Sequence, residues 1–489
     1  MGHHLAGTNA THGGPVGRTD LGGFPMIKFD TIAAIATPHG MGGIGIVRLS
    51  GDLALSAAIR LFRPRKRAAQ PFKFNHRHIY YGKIIDSDNH SMVDEVLLLV
   101  MRAPESYTRE DVVEIHCHGG VAAVQRVLDS VLTQGVRLAE PGEFTRRAFL
   151  NGRINLSQAE AVVTMVQSPS SMGAAMAAPQ LWGALSTQIT AIEAELTALL
   201  ARIEAAIEFI EDTDDHVINA VQLNERFRAA LLPLESLLDN YNRYHVYRDG
   251  ILVVIAGKPN VGKSSLLNAL LKSERAIVTP IPGTTRDIIE EKVVINGIPV
   301  RLVDTAGLHN TGDTVEALGV AKAADLIATA DLVLFMVDGY NGVDERDHAV
   351  YQQLRERPFI MVRNKIDLCE QTTPARTPQH WTSDPIVDIS ATGVAGLEGL
   401  SAAIVAKVVQ GRPLSQNESP LVPNLRQKSN LLRAVDAIEA AQREFSADGP
   451  LELVAESLKS ARLYLARISG RQVDDAVLDE VFGQFCIGK

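Results

Sequence analysis

The stretch Ile251–Asn268, ILVVIAGKPNVGKSSLLN, decides how this chain is read. Ile251 to Ile255 is an apolar, β-branched run, short enough for one buried strand. It feeds Gly257-Lys258-Pro259-Asn260-Val261-Gly262-Lys263-Ser264, which fits G-x-x-x-x-G-K-[ST], and then a helical run from Ser265 to Leu271. Strand, glycine loop and helix in that order supply the context the motif needs. Glycines let successive backbone N–H groups converge on phosphate oxygens, and the helix start adds the positive end of its dipole. Lys263 is placed to reach the β- and γ-phosphates, and the Ser264 hydroxyl to ligate Mg2+. The stretch reads as a nucleotide site.

Working outward, four further motifs select the nucleotide. Asp304-Thr305-Ala306-Gly307 closes a strand over Val300–Val303, where Asp304 can hold Mg2+ through water and Gly307 can offer its N–H to the γ-phosphate. The strand before it, Lys292–Ile295, turns at Asn296-Gly297, a hairpin signal. Asn364-Lys365-Ile366-Asp367 follows a strand over Phe359–Val362, and the Asp367 carboxylate can accept both N–H groups of a guanine edge. A site built for those hydrogen bonds rejects adenine strongly. Ser390-Ala391, after Ile386–Ile389, brings backbone N–H groups near the base oxygen. Alone each string is weak; in this order they specify GTP. Thr284 and Thr285, in Pro282-Gly283-Thr284-Thr285-Arg286-Asp287, occupy the first switch, where a hydroxyl completes the Mg2+ shell only beside a γ-phosphate. Leu308 stands where many GTPases carry a water-orienting glutamine, so another group must serve the transition state.

The rest of the 489 residues is long enough for two to four domains. A net charge of −9 argues against coating nucleic acid by charge alone. Three scattered cysteines, Cys117, Cys369 and Cys486, fit a reducing cytoplasm, and the absence of an 18-residue apolar run argues against a membrane span. Residues 1–25 read as a disordered leader or an extension, with Met26 a plausible start. Residues 26–150 carry a mixed α+β pattern. Gly40-Met41-Gly42-Gly43-Ile44-Gly45 fits a dinucleotide fingerprint in letters, yet a strand (Ile46–Leu49) follows it instead of a helix, so that reading fails. The cluster Arg63-Pro64-Arg65-Lys66-Arg67 reads as a solvated loop. In the strand Asp111–His118, Glu114, His116 and His118 share a polar face opposite Cys117, bordering either a ligand pocket or water. A metal there would need further ligands.

Residues 151–248 and 412–489 read as two parts of one helical bundle, with residues 249–411, a Ras-like P-loop GTPase domain, inserted between them. Leu185, Ile189, Ile192, Leu196, Leu199, Ile203 and Ile207 form one helical stripe; Phe227, Leu231, Leu234 and Leu238 begin another, with a kink expected at Pro233. Leu431, Val435 and Ile438, then Val454, Leu458, Ala461, Leu465 and Ile468, mark the returning helices. Trp182 and the other aromatics of these helices are expected in the core. The fold class is therefore multidomain: α/β plus all-α, with a mixed α+β front domain.

The set GKPNVGKSSL, PGTTRD, DTAGL and NKID resembles the GTPases that carry a hydrophobic residue in place of glutamine. With ATPHGMGGIGIVRLSG, SYTREDVVEIHCHGG, PGEFTRRAFLNGRINLSQAEA and the terminal FCIGK, residues 26–489 resemble the MnmE (TrmE) family of tRNA modification GTPases. That resemblance implies a homodimeric cytoplasmic enzyme. With the flavoprotein MnmG in a hetero-oligomer, it installs an aminomethyl or carboxymethylaminomethyl group at C5 of the wobble uridine of tRNA. The one-carbon unit would come from 5-formyl- or methylene-tetrahydrofolate bound to the front domain.

By the same resemblance GTP is held by Asn260, Val261, Gly262, Lys263, Ser264 and Ser265, by Thr279, Pro280, Ile281, Pro282, Gly283, Thr284 and Thr285, by Asp304, Thr305, Ala306 and Gly307, by Asn364, Lys365 and Asp367, and by Ser390 and Ala391. Mg2+ would be bound by Ser264 and Thr285, and K+ by the Asn260 side chain with backbone carbonyls of Thr279, Ile281 and Thr284. Such a cation can play the role of an arginine finger. Glu316 matches the catalytic glutamate, against the alternative of a solvated residue at a helix start. Arg48, Glu114, Arg153 and Lys489 match the folate contacts, although Arg153 stands where a lysine also occurs in the family. Cys486 is either a nucleophile of the modification chemistry or a packed thiol. Two rival functions remain at this level. A ribosome-assembly GTPase would want a basic RNA module after the G domain, which residues 412–489 do not offer; a folate enzyme could carry the G domain as a regulator.

Overall fold

The computed structural model describes residues 30–65, 74–87, 89–208, 220–273, 275–276, 290–304, 324–369, 376–381, 384–409, 413–415 and 418–489. The expected leader, residues 1–25, lies outside them, as do Lys66 and Arg67 of the basic cluster. The chain forms two compact units, one of the residues up to Ile154 with Phe482–Lys489, the other Asn155–Val481.

In the first unit the strands β1 (Ile32–Ile35), β2 (Ile44–Ser50), β3 (Phe62–Pro64), β4 (His78–Ile85), β5 (Met92–Met101), β6 (Val112–His118) and β7 (Arg137–Leu138) form one sheet. Their order is β3-β4-β5-β6-β2-β1-β7, antiparallel except for the β1–β7 pair. Period-two alternation sends Val47, Leu49, Val96, Leu98, Ile115 and Cys117 into a core with the helices α1 (Ala54–Leu61) and α2 (Val121–Leu132). On the other face Ile32 and Ala34 pack against Ala139 and Phe144, the latter on α3 (Glu143–Leu150). Glu114, His116 and His118 do share the face opposite buried Cys117. The glycine run 40–45 connects two antiparallel strands and opens no helix, which excludes the dinucleotide reading.

The tail departs from the sequence reading, which placed all of residues 412–489 in the bundle. Phe482 packs on Phe149 and Phe485, and Gly488 takes φ 93° so closely against β1 that a Cβ there would lie 2.2 Å from the Ile35 carbonyl oxygen. Apolar anchors and one glycine thus seat Phe482–Lys489 on the first unit.

In the second unit α4 (Leu156–Gln167) and α5 (Ser171–Leu181) lead into α6 (Ala184–Glu208) and α7 (Ala220–Asp249). The stripes expected on α6 and α7 interlock with Leu431, Ile438, Leu458 and Leu465 of helices Leu425–Ser446 and Leu451–Ser469. Helix α7 continues through Pro233. Phe227, Tyr241 and Tyr247 are buried as expected, but Trp182 is not: it is 90% exposed. It caps the C-terminus of α5 just before Gly183 (φ 89°) turns the chain, so it falls off the buried stripe.

Gly250 ends α7 and starts a seven-stranded sheet: β8 (Ile251–Ala256), β9 (Arg275–Ala276), β10 (Glu290–Ile295), β11 (Ile298–Asp304), β12 (Leu332–Asp338), β13 (Phe359–Asn364) and β14 (Val387–Asp388). The order is β14-β13-β12-β8-β11-β10-β9, parallel from β14 to β11. All six residues of β8 are buried, as a central parallel strand requires. Asn296 (φ 47°) and Gly297 (φ 89°) make the expected tight turn between β10 and β11. The sheet's entry and exit are clasped together: the Leu414 N–H donates to the Tyr247 hydroxyl at 3.3 Å, and Arg248 donates to the carbonyls of Val422 and Pro423.

Candidate functional site

Strand order marks where an open parallel sheet of this kind offers a ligand site. The chain leaves β8 between β11 on one side and β12 on the other, and ligands of open parallel sheets bind beyond the C-terminal ends of strands at such a switch point. Gly257 follows β8, Asp304 ends β11, Asp338 ends β12, Asn364 ends β13, and Ser390 follows β14.

The phosphate loop has the expected shape. Asn260 sits in the left-handed region at φ 61°, which asparagine tolerates, and is exposed. Gly262 (φ 105°) must be glycine, because a Cβ there would lie 2.2 Å from the Asn364 side-chain nitrogen. Lys263 opens α8 (Lys263–Ser273), is buried, and donates to the carbonyl oxygens of Gly257 at 2.9 Å and Lys258 at 3.0 Å. Burial pushes its ammonium pKa down, with Asp304 opposing. A bound phosphate offers this cation better partners than two carbonyls. The Ser264 hydroxyl donates to Asp304 Oδ2 at 2.5 Å, so the two oxygens that the sequence singles out for Mg2+ stand together.

The base side is equally ordered. Buried Asn364 donates to the Val261 carbonyl at 2.8 Å and accepts from the Ala391 N–H at 3.0 Å, tying three motifs through one carboxamide. Asp367 is exposed on the 3-10 turn Ile366–Cys369. Lys365 (φ 67°) pairs with Asp338 at 2.8 Å. Burial alone would raise the Asp338 carboxyl; Lys365 and the Asn341 and Tyr340 N–H groups outweigh it and hold it at about 2. Ser265 is exposed at the start of α8, and Ser390 is buried with its hydroxyl accepting from Gly393 N–H. Thr279, Pro280, Ile281, Pro282, Gly283, Thr284, Thr285, Thr305, Ala306, Gly307 and Glu316 lie outside the described residues.

The first unit gathers the four other site residues, which sequence separates widely. Arg48 and Glu114 face each other across β2 and β6, and the guanidinium donates to Glu114 Oε1 at 2.8 Å. A second arm of Arg48 donates to the Gly488 carbonyl at 3.2 Å, which brings the tail alongside. Lys489 is half-buried; burial, then the charge of Arg48, lowers its pKa, while Glu114 opposes. The Arg153 guanidinium lies 4.7 Å from the Tyr107 ring centroid, and that of Arg48 6.0 Å from it. Cys486 is exposed. His116 Nε2 donates to Glu114 Oε2 at 3.2 Å, and no group of three or more metal-ligating side chains occurs among the described residues.

Two models of known families match: the TrmE N-terminus over residues 31–153 and the MnmE helical domain over residues 156–486. The chain is 44% identical to the tRNA modification GTPase MnmE of Acetivibrio thermocellus over 465 residues, 95% of this chain and 100% of the relative. It is 45% identical to the protein of the same name in Carboxydothermus hydrogenoformans over 463 residues, 94% of this chain and 99% of that one. The chain belongs to the MnmE family of tRNA modification GTPases. Among solved structures it is similar to Aquifex aeolicus Era bound to GDP.AlF4-, at 30% identity over 38% of this chain and 66% of that chain, with a TM-score of 0.26.

As an MnmE-family GTPase the chain hydrolyses GTP in tRNA modification, with GTP and Mg2+ as its ligands. Among the described residues no helix is long and apolar enough to cross a membrane. Three residues beside these groups were given no role by the sequence reading of this MnmE-family chain. Tyr107 lies in the string SYTREDVVEIHCHGG, but nothing in that string singles out its ring. Asp338 could have been found as the acid ending an apolar strand, and Lys258 only by recognising that Asp344 and Asp347 have capping-box spacing.

Proposed function

We propose that this chain is a potassium-activated GTPase that, with a flavoprotein partner, modifies C5 of the wobble uridine of tRNA using a tetrahydrofolate-derived one-carbon unit. The observation that carries the reading is the convergence of Arg48, Glu114 and the Gly488 carbonyl, with Lys489 beside them, in a chain that also holds a guanine-nucleotide loop. The group fits a folate chemically. Arg48, Arg153 and Lys489 supply cations for a glutamate tail, Glu114 an acceptor for a pterin's amino edge, and Tyr107 an aromatic face. Folate would supply the one-carbon unit; the side chains bind and orient it.

Asn260, exposed beside the phosphate loop, would lend its carboxamide to K+ together with the carbonyls of Thr279, Ile281 and Thr284, and Thr285 would join Ser264 on Mg2+. Glu316 would position the attacking water through a second water, supplying what Leu308 cannot. The front domain (residues 26–150) would pair with a second copy. Ile79, Tyr81 and Leu97, exposed on one face of the first sheet, support that assembly.

The test is twofold. Mass spectrometry of wobble uridine in tRNA from cells lacking the protein should show the C5 group missing; unchanged uridine chemistry would overturn the reading. GTP turnover should be faster in K+ than in Na+, and Asn260→Ala should erase the difference; equal rates in both salts would remove the cation.

A further inference from the structure

Each of the two lysines outside the triphosphate contacts, Lys258 of the phosphate loop and Lys365 of the base motif, is anchored in the same short segment. Lys258 Nζ donates to Asp347 at 2.8 Å, to Asp344 at 3.0 Å and to the Gly342 carbonyl at 3.3 Å. Lys365 Nζ donates to Asp338 at 2.8 Å, and Gly339 N–H donates to the Asn364 carbonyl at 2.7 Å. The segment Asp338–Asp347 is itself stiff. Asp338 accepts from the N–H groups of Tyr340 and Asn341, and Asp344 and Asp347 form a reciprocal capping box at the start of helix Glu345–Leu354.

We propose that Asp338–Asp347 is a brace that couples the phosphate loop to the guanine loop, with Lys258, Asp338 and Asp347 as positioning residues for GTP binding. The inference deepens the GTPase reading and rests on it. Its physical basis is the position of the Lys258 backbone. The Lys258 carbonyl receives the ammonium of Lys263, the group that meets the phosphates, at 3.0 Å, while the Lys258 side chain is pinned to a fully buried carboxylate. Lys263 therefore leans on a residue whose side chain is held from the end of β12 and helix Glu345–Leu354 as well as its backbone from β8. On the other side Asp338 fixes the lysine that precedes the guanine-reading Asp367 by two residues. Occupying either loop stiffens the same segment, so each half of the nucleotide prepares the site for the other.

Two features separate a brace from ordinary packing. The Asp347 carboxylate is 0% exposed; its Oδ2 meets the Lys258 ammonium at 2.8 Å, while its Oδ1 has no hydrogen-bond partner. Nothing about the helix start requires a lysine from 89 residues away, because the cap is complete without it.

The test uses the full chain and N-methylanthraniloyl-GDP, followed by fluorescence. Removing Lys258 alone would leave a bare buried charge and could unfold the domain, so the phosphate side is cut with Lys258→Met/Asp347→Asn. The base side is cut with Asp338→Asn. Each should raise the dissociation rate of the analogue by about tenfold, the scale of one charge-assisted hydrogen bond. All three changes together should do little more than the larger of the two sets, because one brace can be cut only once. Lys258→Arg should keep the dissociation rate near that of the unmodified chain. Multiplying effects would show two independent anchors and overturn the coupling; a lowered melting temperature with an unchanged dissociation rate would reduce all three residues to structural support. Failure of the unmodified chain to bind the analogue would overturn the GTP reading itself, and the brace with it.

Discussion

The nucleotide site of the second unit and the Arg48–Glu114 site of the first are built from different materials. The first is shaped by backbone: glycines and left-handed residues in loops at strand ends, with side chains such as Lys263 and Asn364 holding loop carbonyls. The second is made of side chains, a guanidinium, a carboxylate and an aromatic ring from β2, β6 and the loops, closed by a carbonyl of the distant tail. Backbone sites tolerate little change in the chain's path but survive many surface changes. A side-chain site rests on single charged groups, each of which leaves an unpaired partner when removed.

The sharpest way to break the comparison is at the side chain that the sequence assigns to the choice of base. Asp367→Ala should lower the preference for GTP over ATP by about 10⁴-fold in the ratio of dissociation constants. A preference that survives would mean that the loops, and not this carboxylate, choose the base. Next in size, Glu316→Ala should cut GTP turnover by about 10²-fold while leaving GTP affinity nearly unchanged. An affinity loss of similar size would return Glu316 to a structural role.

The first unit offers the converse experiment. Arg48→Ala leaves Glu114, whose side chain is 13% exposed, with His116 but without its guanidinium, and frees the Gly488 carbonyl, so affinity for a tetrahydrofolate derivative should fall by about 30-fold by calorimetry. GTP turnover of the same variant without folate should be close to normal, which separates the two sites. The smallest effect is acid sensitivity in the second unit. Asp338 is held at about 2, below the ordinary 3.8, so its contribution to stability is full above pH 3.8 and is lost as pH falls through about 2. Denaturant melts should show that decline, and Asp338→Asn should flatten it. Alkylation sharpens the contrast in the first unit: Cys486 is exposed and should react first, whereas burial pushes the Cys117 thiol up to about 11 and keeps it inert.

Legibility followed the same division. The positions of the P-loop, Asp304, the Asn364–Asp367 motif and Ser390-Ala391 at strand ends could be read because each is a few consecutive residues whose order forces the local path. The buried stripes of α6 and α7 were equally plain, since a 3.6-residue period has one burial solution. Trp182 was misjudged because apolar character says nothing about where a helix stops. The tail was placed with the bundle because its composition is helical, while its partners, Phe149 and Ile35, are hundreds of residues away.

By itself the sequence determined that this chain binds guanine nucleotide on a parallel sheet inserted into helices, and the family resemblance named the residues of the second site. Only the tertiary structure decided that Arg48, Glu114 and the tail meet, and that Lys258 and Lys365 share one segment. The physical reason is range. Backbone conformation and burial period are set by neighbours along the chain, whereas an ion pair is set by which strands lie side by side, and strand order is a property of the whole sheet.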